Sequence, residues 1–175
     1  ADPDAPRLEP GLAARLRSGA ARFRAWGSPG EHDLRAWHFI QYGGAILSTG
    51  EAPGMGGRFG VLSESHEDLA ARLADLEGLL RDLQFPLSRV VTPDQPDSEV
   101  LGRVIAKRFR VPRTVFEPGA AVQPGTLLCV SNVDDLTDTA GLIARNPDLL
   151  VYAHRLNWTQ SAAFTPDIVG LVAEA

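Results

Sequence analysis

Cysteine is nearly absent: Cys129 stands alone among 175 residues, so no internal disulfide and no cysteine zinc cluster can form. It lies inside an apolar run, where a buried, inert thiol is expected over a reactive one. No apolar run approaches the ~20 residues that a membrane-spanning helix needs, so no membrane partner is expected. Positive charge is in deficit, with 17 Lys and Arg against 22 Asp and Glu. The resulting net charge of -5 excludes the broad basic surface that nucleic acid or an anionic membrane would require. Arg15, Arg17, Arg22 and Arg24 form a local exception, read as a solvated helix face or a phosphate-binding cluster. There is no signal-peptide pattern, and the chain opens Ala1-Asp2-Pro3, so a processed product or a piece of a longer protein is expected. Missing disulfide chemistry fits a cytoplasmic setting.

Complete catalytic signatures are also lacking. His32, His38, His66 and His154 are scattered, and no serine occupies a Gly-x-Ser-x-Gly elbow. His66-Glu67-Asp68 has no second histidine four positions on, as a zinc-protease helix would need; its acids suit a helix N-terminus instead. The stretch from Gly50 to Gly60 is rich in glycine but carries neither the P-loop lysine nor the dinucleotide spacing. It reads as a surface loop, a connection, or a lid over a ligand at the strand ends.

What is present points to a globular core, since 44% of the residues are hydrophobic. Residues 1 to 10, with three prolines and three acids, suit a flexible leader. A helical part with the glycine-rich loop is expected over 11–86, and an α/β core over 87–175, the two forming one compact unit. Amphipathic spacing predicts helices from Gly11 to Trp26 and from Glu31 to about Tyr42, with strand character competing at Ala45 to Leu47. Ser65 with Asp68, followed by Leu69, Leu73, Leu76, Leu80 and Leu83, predicts a capped helix. Beyond it, strands are expected at Arg89 to Thr92, Thr114 to Phe116, Thr126 to Val130 and Leu149 to His154. Helices should intervene after Asp97 or Ser98, with Val100, Leu101, Val104, Ile105 and Phe109 as its apolar positions, and from Asp135 to Arg145. A final short helix is expected from Pro166 through Val172. The fold class is therefore α/β: a mainly parallel sheet of about four to five strands wrapped by helices, with a helical N-terminal part.

The strand from Thr126 to Val130 runs directly into Asp134-Asp135-Leu136-Thr137-Asp138-Thr139-Ala140-Gly141. An apolar strand followed by two acids and a threonine-rich, glycine-ended loop resembles the diphosphoribosyl-binding signature of type I phosphoribosyltransferases. The order of elements over about 88–155 is similar as well. The resemblance implies that Asp134 and Asp135 hold ribose hydroxyls and Mg2+, while Thr137, Thr139 and Gly141 cradle a phosphate. Read from the residues alone, the same stretch is a helix entrance capped by Asn132 or Asp134, with first-turn acids complementing the dipole. At the end of the next strand, His154-Arg155-Leu156-Asn157-Trp158 suits either a pocket wall or a core-edge histidine beside a packed aromatic.

Two functional expectations follow. With no complete catalytic set, the chain reads as a non-catalytic α/β binding or interaction domain with a protein partner, part of a longer protein. The resemblance implies instead a phosphoribosyltransferase-like enzyme, or a sensor of a small phosphorylated ligand, with Mg2+ at the acids.

Overall fold

The computed structural model describes residues 12–50, 64–143, 148–156 and 165–173. The expected leader, the glycine-rich stretch from residue 51 onward, Arg145, Asn157 and Trp158 lie outside the described residues. The chain divides into two compact units, ending and beginning at Gly43 and Gly44.

The first unit pairs α1 (Leu12–Trp26) with α2 (Leu34–Tyr42). Asp33 caps α2, its carboxylate accepting from the Ala36 amide at 3.0 Å. The other end closes on Gly43, whose φ of 84° is left-handed and whose amide bonds the Phe39 carbonyl. Arg22 of α1 donates to the Ile40 and Gln41 carbonyls at 3.0 and 3.2 Å, serving as a side-chain cap for the last turn of α2. One of the four clustered arginines thus has a structural task. Tilted ring pairs, Phe23 with Trp37 and Trp26 with Phe39, join the helices.

The second unit is a six-stranded, wholly parallel sheet flanked by helices: β1 (Ala45–Gly50), α3 (His66–Asp82), β2 (Arg89–Thr92), α4 (Pro96–Phe109), β3 (Arg113–Val115), β4 (Thr126–Asn132), a 3-10 turn (Val133–Thr139), α5 (Ala140–Ile143), β5 (Leu149–Leu156) and β6 (Ile168–Ala173). The order across the sheet is β1-β6-β5-β4-β2-β3. Burial on both faces explains the continuous apolar run of β4. Leu127 and Cys129 enter one core with Leu76, Leu80 and Ile105; Leu128 and Val130 enter the other with Val133, Leu136 and Val151.

The α/β expectation holds, with corrections. Among the described residues the sheet has six strands, because the stretch expected as a C-terminal helix is β6, and β1 adds an edge beyond it. Pro166 can open a helix, but Ile168, Val169 and Val172 are β-branched and buried, and a short apolar run carries no period that separates strand from helix. The helix expected over 135–145 is a 3-10 turn followed by one turn of α-helix. α4 starts earlier than expected, with Gln95 at the cap position and Pro96 at its first turn, so neither Asp97 nor Ser98 caps it. Its buried stripe runs through Ser98, Leu101, Gly102, Ile105 and Ala106, leaving Val100 and Val104 exposed. In α3 the expected capping box is complete, with Ser65 and Asp68 exchanging bonds of 3.1 and 3.0 Å, while Leu83 falls past the last turn and is exposed.

Candidate functional site

β2 leads through α4 to β3 on one side, whereas β4 lies on the other side of β2. The carboxyl ends of β2 and β4 therefore flank the point where the winding reverses, which is where open α/β sheets form a crevice. Thr92, fully buried, ends β2, and Asn132 ends β4.

Ser98, in the first turn of α4 and fully buried, joins the two sides. Its hydroxyl accepts from the Ser131 amide at 2.8 Å and donates to Asp135 Oδ2 at 2.9 Å. Asp135 is thereby held half-buried against α4. Asp134 points to the exposed side, its amide donating to the Asn132 side chain at 3.3 Å. Asn132 is the cap that the sequence suggested. Thr137 and Thr139 donate to the Asp134 and Leu136 carbonyls at 2.9 and 3.2 Å, three residues back along the 3-10 turn. Gly141 is exposed, with open space where a side chain would stand. The five residues named from the sequence thus follow one another along the turn after β4, and Asp135 is tied to α4 through Ser98.

Ser98 and Ser131 escaped the sequence reading as site residues. Nothing in the local pattern of α4 showed that its first turn would meet the end of β4, 33 residues away. Arg113 of β3 also converges here, donating to Thr92 Oγ1 at 2.6 Å and to Glu99 at 3.1 Å. Among the described residues, no three His, Cys, Asp or Glu side chains gather as a metal cage. Asp134 and Asp135 are neighbours in sequence, one exposed and one half-buried with an oxygen committed to Ser98.

The carboxyl end of β5 carries a second polar array. Tyr152 Oη lies 3.0 Å from His154 Nδ1, and His154 Nε2 lies 2.6 Å from Glu64 Oε2. The His154 and Glu64 side chains are each only 7% exposed, and Arg155 approaches the same carboxylate at 3.6 Å. The two ring nitrogens of His154 thus bridge the Tyr152 phenol and the Glu64 carboxylate. Burial, with the nearby Cys129 and Glu64, pushes the Tyr152 phenol well above its ordinary range. Burial does the same to the Cys129 thiol, as its place in the apolar run suggested. Of the two readings of His154, the core-edge histidine is the one found, with a carboxylate partner that sequence position could not reveal.

No protein-family profile matches the chain, and no curated protein does. Two solved structures are similar in part. A purine phosphoribosyltransferase from Pyrococcus horikoshii Ot3 is 10% identical, with a TM-score of 0.41 over 63% of this chain and 86% of that one. The xanthine-guanine-hypoxanthine phosphoribosyltransferase of Helicobacter pylori is 12% identical, with a TM-score of 0.44 over 63% of this chain and 84% of its own.

Proposed function

We propose that this domain binds a small phosphorylated ligand of the ribose-phosphate class at the carboxyl ends of β2 and β4, as a phosphoribosyltransferase-like enzyme or a ligand sensor. The observation that carries this reading is a coincidence of two independent features. The acid- and threonine-rich stretch singled out by its residue pattern, Asp134 to Gly141, leaves the sheet beside the place where the strand order reverses. In this reading Asp134, on the exposed side, and the outer oxygen of Asp135 take the ribose hydroxyls and a magnesium ion that arrives with the ligand. The ion would neutralise charge between the carboxylates and the phosphate oxygens. Thr137, Thr139 and the Gly141 amide take the phosphate, the two hydroxyls exchanging internal bonds worth about 1 kcal/mol each for charge-assisted ones worth more.

The test is thermal stabilisation by phosphoribosyl diphosphate with and without magnesium. A ligand at 100 times its Kd adds about 2.7 kcal/mol to the folded state. The expected outcome is a rise that needs magnesium and disappears in Asp134→Asn, an exposed position whose change leaves the fold intact. No shift at millimolar ligand retires the proposal.

A second reading, a non-catalytic interaction domain, draws on the inward commitment of Thr137, Thr139 and one oxygen of Asp135. It also draws on Val100, 62% exposed, and Val104, 42% exposed, one turn apart on α4. This reading expects identical melting with and without the diphosphate, and a magnesium-dependent rise removes it.

A further inference from the structure

Helix α4 buries the side that runs through Ser98, Leu101, Gly102, Ile105 and Ala106, which turns the exposed Val100 and Val104 directly away from the sheet. Asp97 and Lys107, both exposed, continue that outward side. The four positions follow at steps of three, four and three residues, the spacing of a seam between two paired helices. Valine is a weaker helix former than alanine, because its branched Cβ loses rotamer freedom against the preceding turn, and facing water it gains no packing in return. Isolated exposed valines are ordinary. Two valines one turn apart, with an acid at one end of the seam and a base at the other, form a pattern.

The charges beside the seam are closed within the chain. Arg103 pairs with Glu99 at 2.6 Å, Arg113 reaches the same carboxylate at 3.1 Å, and Arg108 pairs with Glu77 at 2.7 Å. Asp97 and Lys107 have no ion-pair partner among the described residues. They stand ten residues apart along one helix, roughly 15 Å, so they cannot meet each other.

We propose that this face of α4 is the contact surface of a symmetric dimer formed with a second copy of this chain. Two α4 helices laid antiparallel about a twofold axis beside Gly102 set Val100 against Val104 of the partner subunit and Asp97 against Lys107 of the partner subunit. The symmetry repeats each contact. Charge complementarity selects a second copy: read backwards, the order acid, valine, valine, base is its own complement. The antiparallel arrangement also sets each helix N-terminus beside the other's C-terminus, which their dipoles favour. A single pair of 14-residue helices buries less than the ~1,200 Å² of a standard interface, so the dimer is weak, with a Kd on the order of 10–100 µM. The seam shares no residue with Asp134 to Gly141, so dimerisation and ligand binding fail independently.

The experiment is sedimentation of the full chain from micromolar concentration up to about 1 mM, at about 50 mM salt, where exposed ion pairs are little screened. Wild type should show a reversible monomer–dimer equilibrium. Val104→Gln and Val100→Gln, at exposed positions, should keep the wild-type melting temperature to within a few degrees and each weaken the dimer ~10-fold or more, since symmetry removes the contact twice. Asp97→Lys and Lys107→Glu should each do the same by placing like charges at both ends of the seam. An equimolar mixture of these two charge variants should associate again, at least ~10-fold more tightly than either alone, because one carries two positive ends and the other two negative ends. Adding Val104→Gln to both should weaken that mixed dimer as well. The proposal is overturned if wild type stays monomeric up to about 1 mM, or if a dimer forms that the folded valine variants leave unchanged, which places the contact elsewhere. It is equally overturned if the mixture associates no better than its separate members.

Discussion

Replacing Ser98 with alanine removes a side chain that ties the first turn of α4 to both the end of β4 and the turn that follows it. Ser98 is fully buried, and its hydroxyl makes two bonds, from the Ser131 amide at 2.8 Å and to Asp135 at 2.9 Å. The orphaned amide should cost about 1–3 kcal/mol, the penalty for a polar group left unpaired in the interior. Asp135 is only half-buried, so water can replace its lost donor, and its share is smaller, about 0.5–1 kcal/mol. The expected loss is thus about 1.5–4 kcal/mol. For a chain of this size, each kcal/mol lowers Tm by roughly 2–4 °C, which gives a fall of about 3–16 °C. Denaturant unfolding of wild type, Ser98→Ala, Asp135→Ala and the double variant measures both the loss and the coupling. A contact of this kind should couple by about 0.5–3 kcal/mol. If Ser98→Ala lies within ~0.5 kcal/mol of wild type, or the two changes are additive, Ser98 does not hold the crevice together and Asp135 is not anchored by it.

Two further expectations rest on other parts of the chain. A methyl group at Gly170 would stand 2.7 Å from both the His154 carbonyl and Tyr152 Oη and 3.1 Å from His154 Nδ1. Gly170→Ala should therefore break the Tyr152–His154 bond and destabilise the second unit by about 2–4 kcal/mol, whereas Gly78→Ala, in α3 with open space around it, should be neutral or stabilising by up to about 1 kcal/mol. Equal denaturation midpoints for the two variants would contradict the packing described. His38 is buried in the first unit, and burial lowers its pKa below the ordinary 6.5. The unfolded chain then binds the proton more readily, so the stability of the helical pair should be full above about pH 6.5 and fall as pH drops through that value toward the lower folded pKa. Tryptophan emission during unfolding at about pH 7.5 and about pH 5.5 reads this, and His38→Phe should flatten the difference. A pH-independent midpoint in the wild type would refute it.

Local chemistry made much of this protein legible in its residues. The capping box at Ser65 and Asp68 is a matter of two side chains three positions apart, and leucine spacing places the buried face of α3 without reference to any other element. Likewise, four consecutive apolar residues in β4, Leu127 to Val130, bounded by turn chemistry, announce a strand buried on both faces. The corrections fall where local preference is nearly balanced. At residues 168–172 Pro166 suggests a helix start while the β-branched Ile168, Val169 and Val172 favour a strand, and pairing with β1 and β5 fixes the strand. Val100 and Val104 looked like core because helical spacing admits two faces, and only the position of α4 over the sheet selects the one through Leu101 and Ile105.

The candidate site divides in the same way. Composition and residue pattern determined that the chain forms an α/β core and that Asp134 to Gly141 emerge from its central strand, because strand termination and turn chemistry act over a few residues. Tertiary structure alone decided that this stretch lies at the reversal of strand order and that Ser98 grips Asp135. It also brought Glu64 to His154, 90 residues apart. Those relations depend on how the strands are ordered across the sheet. Each strand's own residues are compatible with several neighbours, so strand order is a property of the whole packed chain.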